Sequence, residues 1–571
     1  MNTRKYYRSK KLYSLIIIIL LSILFIPQSS TQITNKNIKL PLNMINGQIL
    51  FSPINSNQTY LIDKTGAVNH TWSSNYRPRL SVYMLDDGSL LRTIDLGWGD
   101  GFGGGIEKYT FDGTLIWHFE YASINNYQIH HDIAPLPNGN VLFLALELKT
   151  SYQAINAGRD PILTPPEYVE TDYIIEVQPT GPTTGEIVWE WHIWDHLIQD
   201  YDKEKPNYGN VAGHPELIDI NFGGAQTDWL HCNSIDYNEK YDQILISSRY
   251  FNEIWIIDHS TTTIEARGHT GGNSGKGGDI LYRWGNPKSY RAGTTTDQKL
   301  FGQHDATWIK PRYSGEGYIL IFNNGLGRGY SSIDEIAPPV DTTGHYYLES
   351  GSAYGPKDLI WSYTADPPTS FYASYISGAQ RLPNGNTLIC DGPKGRFFEI
   401  TPDYMIVWEY INPYPSIHSN DVFKIQYIPQ DYQEPKIPNL ECEGSLSWSN
   451  VKPGSSVSGN FKLKNIGNND SLLNWTIDSF PSWGTWSFDP NFGINLTPQD
   501  ESVIIHVTVE APKNKKTEFE GNIKVINNDN PYDYSLIPVY LKTPKNKILL
   551  IFVDEFLRNH PFLFSILHFL L

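Results

Sequence analysis

The chain has 571 residues, 40% of them hydrophobic and only 18% charged, a balance that excludes a disordered chain and a coiled coil. Asp and Glu outnumber Lys and Arg by 61 to 44, so the formal charge is −17, which argues against a protein that tracks the phosphates of nucleic acid. The 13% aromatic content, beside 46 Gly and 37 Pro, predicts short strands punctuated by turns and hence a mostly β fold.

At the N-terminus, Arg4, Lys5, Arg8, Lys10 and Lys11 precede an apolar run from Leu15 to Ile26, closed by Pro27 and polar residues. Residues 1–32 therefore read as a secretion signal, either cleaved or kept as a signal anchor, with the body of the protein outside the cytoplasm, secreted or held at the cell surface. A diverged repeat follows. Its first half is a turn entering an apolar strand: NGQILFSP at 46–53, DDGSLLRTI at 86–94, PNGNVLFLA at 137–145, NEKYDQILISS at 238–248, SGEGYILIF at 314–322 and PNGNTLICD at 383–391. Its second half is a strand, a polar turn and a strand ending in an aromatic, as in YTFDGTLIWHF and FEITPDYMIVWEY, degenerate in the fifth copy as KDLIWSY. Each unit supplies about four short strands bounded by Asn-Gly or Asp-Gly type turns, so the fold class is all-β and six units predict a six-bladed β-propeller over 33–430. Extra residues at 148–168, 196–226, 265–279 and 325–356 are expected in loops.

The segment DYQEPKIPN at 431–439 reads as a linker. From 440 to 543 the alternating strands SVSGNFKLKNIG, SVIIHVTVEAP and SLIPVYLKT, spaced by Gly, Asn and Pro turns, predict an immunoglobulin-like β-sandwich without a catalytic constellation. The tail at 544–571 is apolar but interrupted by Asp554, Glu555, Arg558, His560 and Pro561, leaving no run long enough to cross a bilayer. A membrane-attachment helix and a docking segment both fit it. The odd, widely spaced set of Cys232, Cys390 and Cys442 excludes a disulfide framework and a cysteine metal site.

His131, His231 and His304 lie 7 residues before Asn138, Asn238 and Pro311, at the strand-entry turns of three successive units. Equal register in a propeller predicts equal depth along its axis and thus convergence. A single such histidine is more often a turn or core residue, but three in register reverse that preference. Converging imidazoles serve a metal, a proton or a nucleophile. Arg249 follows His231 by 18 residues in SSRYFN and is expected at the same centre, where a cation disfavours metal loading and completes an anion pocket. His130 ranks below His131 because strand alternation points it away. Asp132 and Asp305 read either as orienting groups or as solvent turn residues. Asn233 and Ser234 are weaker pocket candidates, and Tyr375 and Ser377 are candidates to face the channel, a tyrosine there stacking on an aryl ring.

HHDIAPLPNGNVLFLALE, DWLHCNSIDYNEKYDQILISSRYFNEIWIID, DILYRWGNP, FGQHDATWI and ISGAQRLPNGNTLICDGPKGRFFEITPDYMIVWEY together resemble the arylsulfate sulfotransferase family (arylsulfotransferases) over 125–412. The resemblance implies a six-bladed propeller that moves a sulfuryl group from a phenolic sulfate ester to a phenol, without a nucleotide sulfate donor, by ping-pong through a sulfohistidine. On the matching motifs it makes His304 of GQHDATW the nucleophile, with His131 of HHDI, His231 of WLHCNS and Arg249 of SSR holding the sulfuryl and phenolic oxygens. It leaves open which of His131 and His231 returns the proton to the leaving oxygen. This chain departs from the family's bacterial members by starting its repeats soon after the signal and placing its sandwich after them, so oligomer contacts made through a leading domain are not implied. Paired carboxylates, a phosphate loop, G-x-S-x-G and H-E-x-x-H are all absent from the reading, so no cofactor and no metal is expected. Two other readings stay open: a propeller that only binds a partner or polymer, and an aryl sulfatase in which water accepts the sulfuryl group.

Overall fold

The computed structural model describes residues 44–97, 104–123, 126–430, 436, 438–467, 471–544, 555 and 559. The expected signal at 1–32, and most of the linker and of the tail, lie outside them. The described chain is nearly all β, arranged in successive multi-strand sheets. Among the described residues no helix is long and apolar enough to cross a membrane.

Six antiparallel sheets occupy the span from Gly47 to Pro429. Five of them run in chain order from a leading strand: Pro78–Met84, Tyr127–Pro135, Cys232–Asn238, His304–Trp308 and Gly378–Arg381. The sixth is shared between the two ends of the span, because Val422–Pro429 pairs antiparallel with Gly47–Pro53, Phe51 opposite Ile425. Val422–Pro429 and the five leading strands touch one another in sequence and so form a closed ring. Strands beside the ring are apolar on both faces, as in Gln243–Ser248 and Glu253–Asp258, where every residue is buried. Outermost strands such as Leu115–Glu120 keep several residues in solvent. Each predicted repeat unit corresponds to one sheet. In the fifth unit the strand Ser332–Ile336 is one the degenerate pattern did not announce.

Neighbouring leading strands are laced by side chains that accept a backbone N–H from the next strand. Asp132 Oδ2 accepts from Ile235 N (3.3 Å), Ser234 Oγ from Ala306 N (3.0 Å) and Asp305 Oδ2 from Ala379 N (3.1 Å). One layer along, Asp236 accepts from Trp308 N, Gln380 from Tyr427 N and Gln426 from Met84 N, at 2.7, 2.8 and 2.7 Å. Asp132, Ser234, Asp305 and Gly378 thus occupy equivalent positions. Gly378 has no side chain because a Cβ there would stand 2.2 Å from Asp305 Oδ2.

This lacing corrects the register read from turn spacing. The residues one before the equivalent set are His131, Asn233 and His304, so His131 and His304 share a level while His231 enters two residues earlier. The spacing misled because the leading strands carry bulges: their pairing slips opposite Phe143/Ala145, between Cys232 and Ser234, and between His304 and Thr307. His131 and Asp305 sit at these bulges and His231 just before its strand, with φ of 53°, 48° and 52°, a left-handed backbone that non-glycine residues seldom adopt.

Between 440 and 542 a separate pair of sheets is formed, one in the order Leu440–Glu443, Ser456–Asn465, Val503–Glu510 and Thr485–Asp489, the other built on Glu518–Asn527 and Asn530–Lys542. Alternation buries one face of each. Phe461, Leu463, Ile505 and Val507 of the first sheet share a core with Trp475, Ile523, Val525 and Ile537 of the second.

Candidate active site

His304 opens its leading strand and is buried. Its Nδ1 lies 2.8 Å from Asn324 Oδ1. Asn324 donates both amide protons to the Ala373 and Ile376 carbonyls, at 2.8 and 2.9 Å, so its oxygen must be the atom facing the imidazole. The His304 proton therefore resides on Nδ1, and Nε2 keeps its lone pair. Burial, and then the nearby Arg249 charge, hold the His304 pKa down at about 3 against the opposing bonds from Asn324 and from the Gly302 backbone. The imidazole is neutral at any ordinary pH.

His131 and His231 meet with ring centroids 4.7 Å apart, despite their different registers. Phe423 of the closing strand lies 6.2 Å from the His131 ring and 6.4 Å from that of His304. The environments of the first two histidines differ. His131 is held well below the ordinary imidazole range by burial first, then by His231, His130 and Arg79. His231 instead places Nδ1 2.5 Å from Asp228 Oδ2, three residues earlier, an arrangement that orients the ring. Beside Asp228, the Glu170 carboxyl is pushed up to about 7 by burial and then by Asp228 and Asp172.

Arg249 follows directly on the strand next to that of His231, and its N–H donates to the His231 carbonyl at 3.2 Å. Its guanidinium rests on the Tyr250 ring, 5.2 Å from the centroid, and its Nε is buried without a hydrogen-bond partner. Among the described residues no carboxylate lies within ion-pair distance of it. A cation left without a counter-ion at the edge of a histidine cluster is suited to an anionic group.

The remaining expected residues separate from this cluster to different degrees. His130 does not point away: its Nδ1 is 2.8 Å from that of His131, while its Nε2 lies 2.8 Å from Asp172 Oδ1 out of hydrogen-bonding alignment. Strand alternation fails at this pair because of the bulge at His131. Asn233 shares the level of His131 and His304, yet its amide donates to the Gln303 carbonyl at 2.8 Å, fixing the backbone next to His304. Ser234 and Ser377 are buried and accept backbone N–H bonds from Ala306 and Gly392. Tyr375 is partly exposed and donates its hydroxyl to Asp421 at 2.9 Å; desolvation of the hydroxyl, and then that bond, raise its pKa to about 12. No contact joins it to the histidines.

Asp132 and Asp305 are neither solvent turn residues nor direct partners of the histidines. Both are buried and share Lys424, whose Nζ is 2.8 Å from Asp132 Oδ2 and 3.2 Å from Asp305 Oδ1, while the Tyr83 hydroxyl donates to Asp132 Oδ1 at 2.8 Å. Burial works against the Lys424 charge, but Asp132, Tyr83 and Asp305 more than offset it and leave its pKa well above the usual lysine value. Lys424, Asn324, Asp228 and Arg79 were all missed by the motif reading. Only Asp228 had a local signal, standing three residues before His231.

The sheets and this cluster define a class: a nearly all-β protein in which histidines carried by a ring of strands stand near a guanidinium that, among the described residues, has no carboxylate partner. The family is then given by comparison. The arylsulfotransferase (ASST) family model matches residues 28–427, most of the chain, so this protein belongs to that family and is by class a sulfotransferase. No curated protein matches it. Similar solved structures include a protein of unknown function from Bacteroides caccae, 13% identical over 67% of this chain and 99% of its own, with a TM-score of 0.38. Virginiamycin B lyase from Staphylococcus aureus is 11% identical over 65% of this chain and 85% of its own, with a TM-score of 0.32. A protein from Lactobacillus plantarum is 10% identical over 82% and 98% of the two chains, also with a TM-score of 0.32.

Proposed function

We propose that this protein is an extracytoplasmic aryl sulfotransferase that moves a sulfuryl group from a phenolic sulfate ester to a phenol through a sulfohistidine at His304, within a six-bladed propeller followed by an immunoglobulin-like sandwich. The observation that carries the reading is the tautomer of His304: Asn324 holds the proton on Nδ1 and leaves a buried, neutral Nε2 beside Arg249.

In the first half-reaction Nε2 attacks sulfur, the bond from sulfur to the aryl oxygen breaks, and the leaving phenolate takes a proton from His231. Arg249 stabilises the charge on the equatorial sulfuryl oxygens from a position it already occupies, which avoids reorganisation. In the second half-reaction the acceptor phenol returns a proton to His231, its oxygen attacks sulfur, and the nitrogen–sulfur bond breaks. His231 suits the proton transfer because Asp228 fixes the orientation of its ring through Nδ1. His131, held neutral by burial, suits hydrogen bonding to a sulfuryl or phenolic oxygen.

Incubating the full chain with an aryl sulfate, with and without a phenol, tests the reading alongside His304→Ala. Donor phenol released only with acceptor, and an acid-labile mass gain of one sulfuryl group that disappears in the variant, are expected. Release by donor alone would point to a sulfatase, and neither turnover nor adduct across a donor panel would point to a binding propeller.

A further inference from the structure

The insertion predicted at 265–279, between two strands of the fourth sheet, carries Gly268, Gly271, Gly272, Gly275, Gly277 and Gly278 and contributes no residue to the central cluster. Its far end is nevertheless drawn to one point. His269 and His196 both direct Nδ1 at Oδ1 of Asp279, at 2.7 and 2.9 Å. His196 is fully buried, Asp279 nearly so, and the His269 side chain is 60% exposed.

The protonation of His196 is constrained from its other side. Its Nε2 lies 2.8 Å from the Ala266 carbonyl oxygen, which can only accept, so Nε2 carries a proton and Nδ1 is the nitrogen that faces the Asp279 carboxylate. The surroundings are built to hold the ring in this pose. Trp191 stacks on it at 5.6 Å and 13° and donates its Nε1–H to the Gly278 carbonyl. A Cβ at Gly278 would come within 2.0 Å of the Ala266 oxygen and 2.7 Å of His196 Nε2.

We propose that His196, His269 and Asp279 bind a zinc ion that pins the glycine-rich insertion to the body of the fourth sheet. Two imidazoles and a carboxylate are ordinary zinc ligands, and the bond from His196 Nε2 to a backbone carbonyl is the outer contact that metal-bound histidines usually make. The three donor atoms lie within 4.8 Å of one another. A tetrahedral zinc site asks for about 3.4 Å between donors, so the two carboxylate contacts must widen from 2.7 and 2.9 Å while the imidazole nitrogens draw together, movements open to His269 because it is exposed on a loop rich in glycine. Solvent completes the fourth position on that exposed side. The site departs from the expectation of no metal and shares no residue with the central histidines, so it stands or falls independently of the sulfuryl chemistry.

The full-length, tag-free chain, stripped with a chelator, is titrated with Co2+ and then with Zn2+, beside His269→Ala and Asp279→Asn. His269→Ala alters an exposed side chain, and its circular dichroism reports that the fold is kept. One equivalent of Co2+ with tetrahedral d–d absorption, displaced by Zn2+, is expected for the wild type, with affinity at least ~10-fold weaker in His269→Ala and a zinc-dependent rise in thermal midpoint that the variants lose. No stoichiometric uptake, or equal uptake by the wild type and both variants, overturns the proposal and leaves a proton between His196 and Asp279.

Discussion

Asn324 gives both of its amide protons to main-chain carbonyls and thereby decides, through one remaining oxygen, which nitrogen of His304 is free to attack. Replacing it with leucine keeps the volume but removes the acceptor, so kcat is expected to fall by ~10–100-fold with KM little changed. Asn324→Asp, which still accepts, is expected to recover part of the loss. Steady-state kinetics of the three forms decides it, and a change confined to KM would count against the role. The neutral state of His304 also has a pH signature. Its folded pKa of about 3 lies below the unfolded value near 6.5, so between these the unfolded chain binds the extra proton, and stability is lost as pH falls through that window. Thermal unfolding of the wild type compared with His304→Gln should diverge by up to about 1.4 kcal/mol per pH unit below 6.5. Nucleophile protonation, in contrast, should not limit the donor half-reaction anywhere between pH 8 and pH 5. The histidines and Arg249 were legible in the sequence because motifs repeat around them. Asn324 was not, since Asn-Asn-Gly after an apolar strand reads as a turn, and its partners Ala373 and Ile376 lie some fifty residues away.

The leading strands act as a set rather than singly, because each is bonded sideways to the next through a buried polar side chain. Lys424 on the closing strand ties together Asp132 and Asp305, each adjacent in sequence to a site histidine. Lys424→Met leaves two carboxylates buried without a counter-charge and is expected to lose ~3–5 kcal/mol of stability, read by chemical denaturation. Adding Asp132→Asn and Asp305→Asn should restore part of it, and a single variant as stable as the wild type would show that the pair contributes nothing. This lysine escaped the sequence reading for a physical reason: a lone lysine in VFKIQYIP looks like the solvent side of a strand, and only ring closure turns that side inward. The same limit applies to register. Turn spacing marks where apolar strands begin, but it cannot reveal bulges that insert residues within a strand, so it set His231 level with His131 and His304 when it enters two residues earlier.

Across the whole molecule, the ring of sheets and the pair of sheets after 440 bury separate hydrophobic cores. Trp475→Ala, at the centre of the second core, is expected to cost ~3–5 kcal/mol there and to leave sulfuryl transfer unaltered; activity measured beside the unfolding profile checks both halves. The second pair of sheets announces itself in the sequence by a change of strand rhythm, from repeating hairpins to longer alternating strands. The pairing of Val422–Pro429 with Gly47–Pro53 also sets an order of events in folding. The first sheet cannot be finished until a partner more than 370 residues downstream has been made, and such distant pairing is slow because the loop must close before any contact rewards it. Until then Gly47–Pro53 presents an unsatisfied edge to any other strand it meets. A chain cut short before Val422 would keep that edge permanently, so truncated products of this gene are expected to aggregate rather than persist as partial rings.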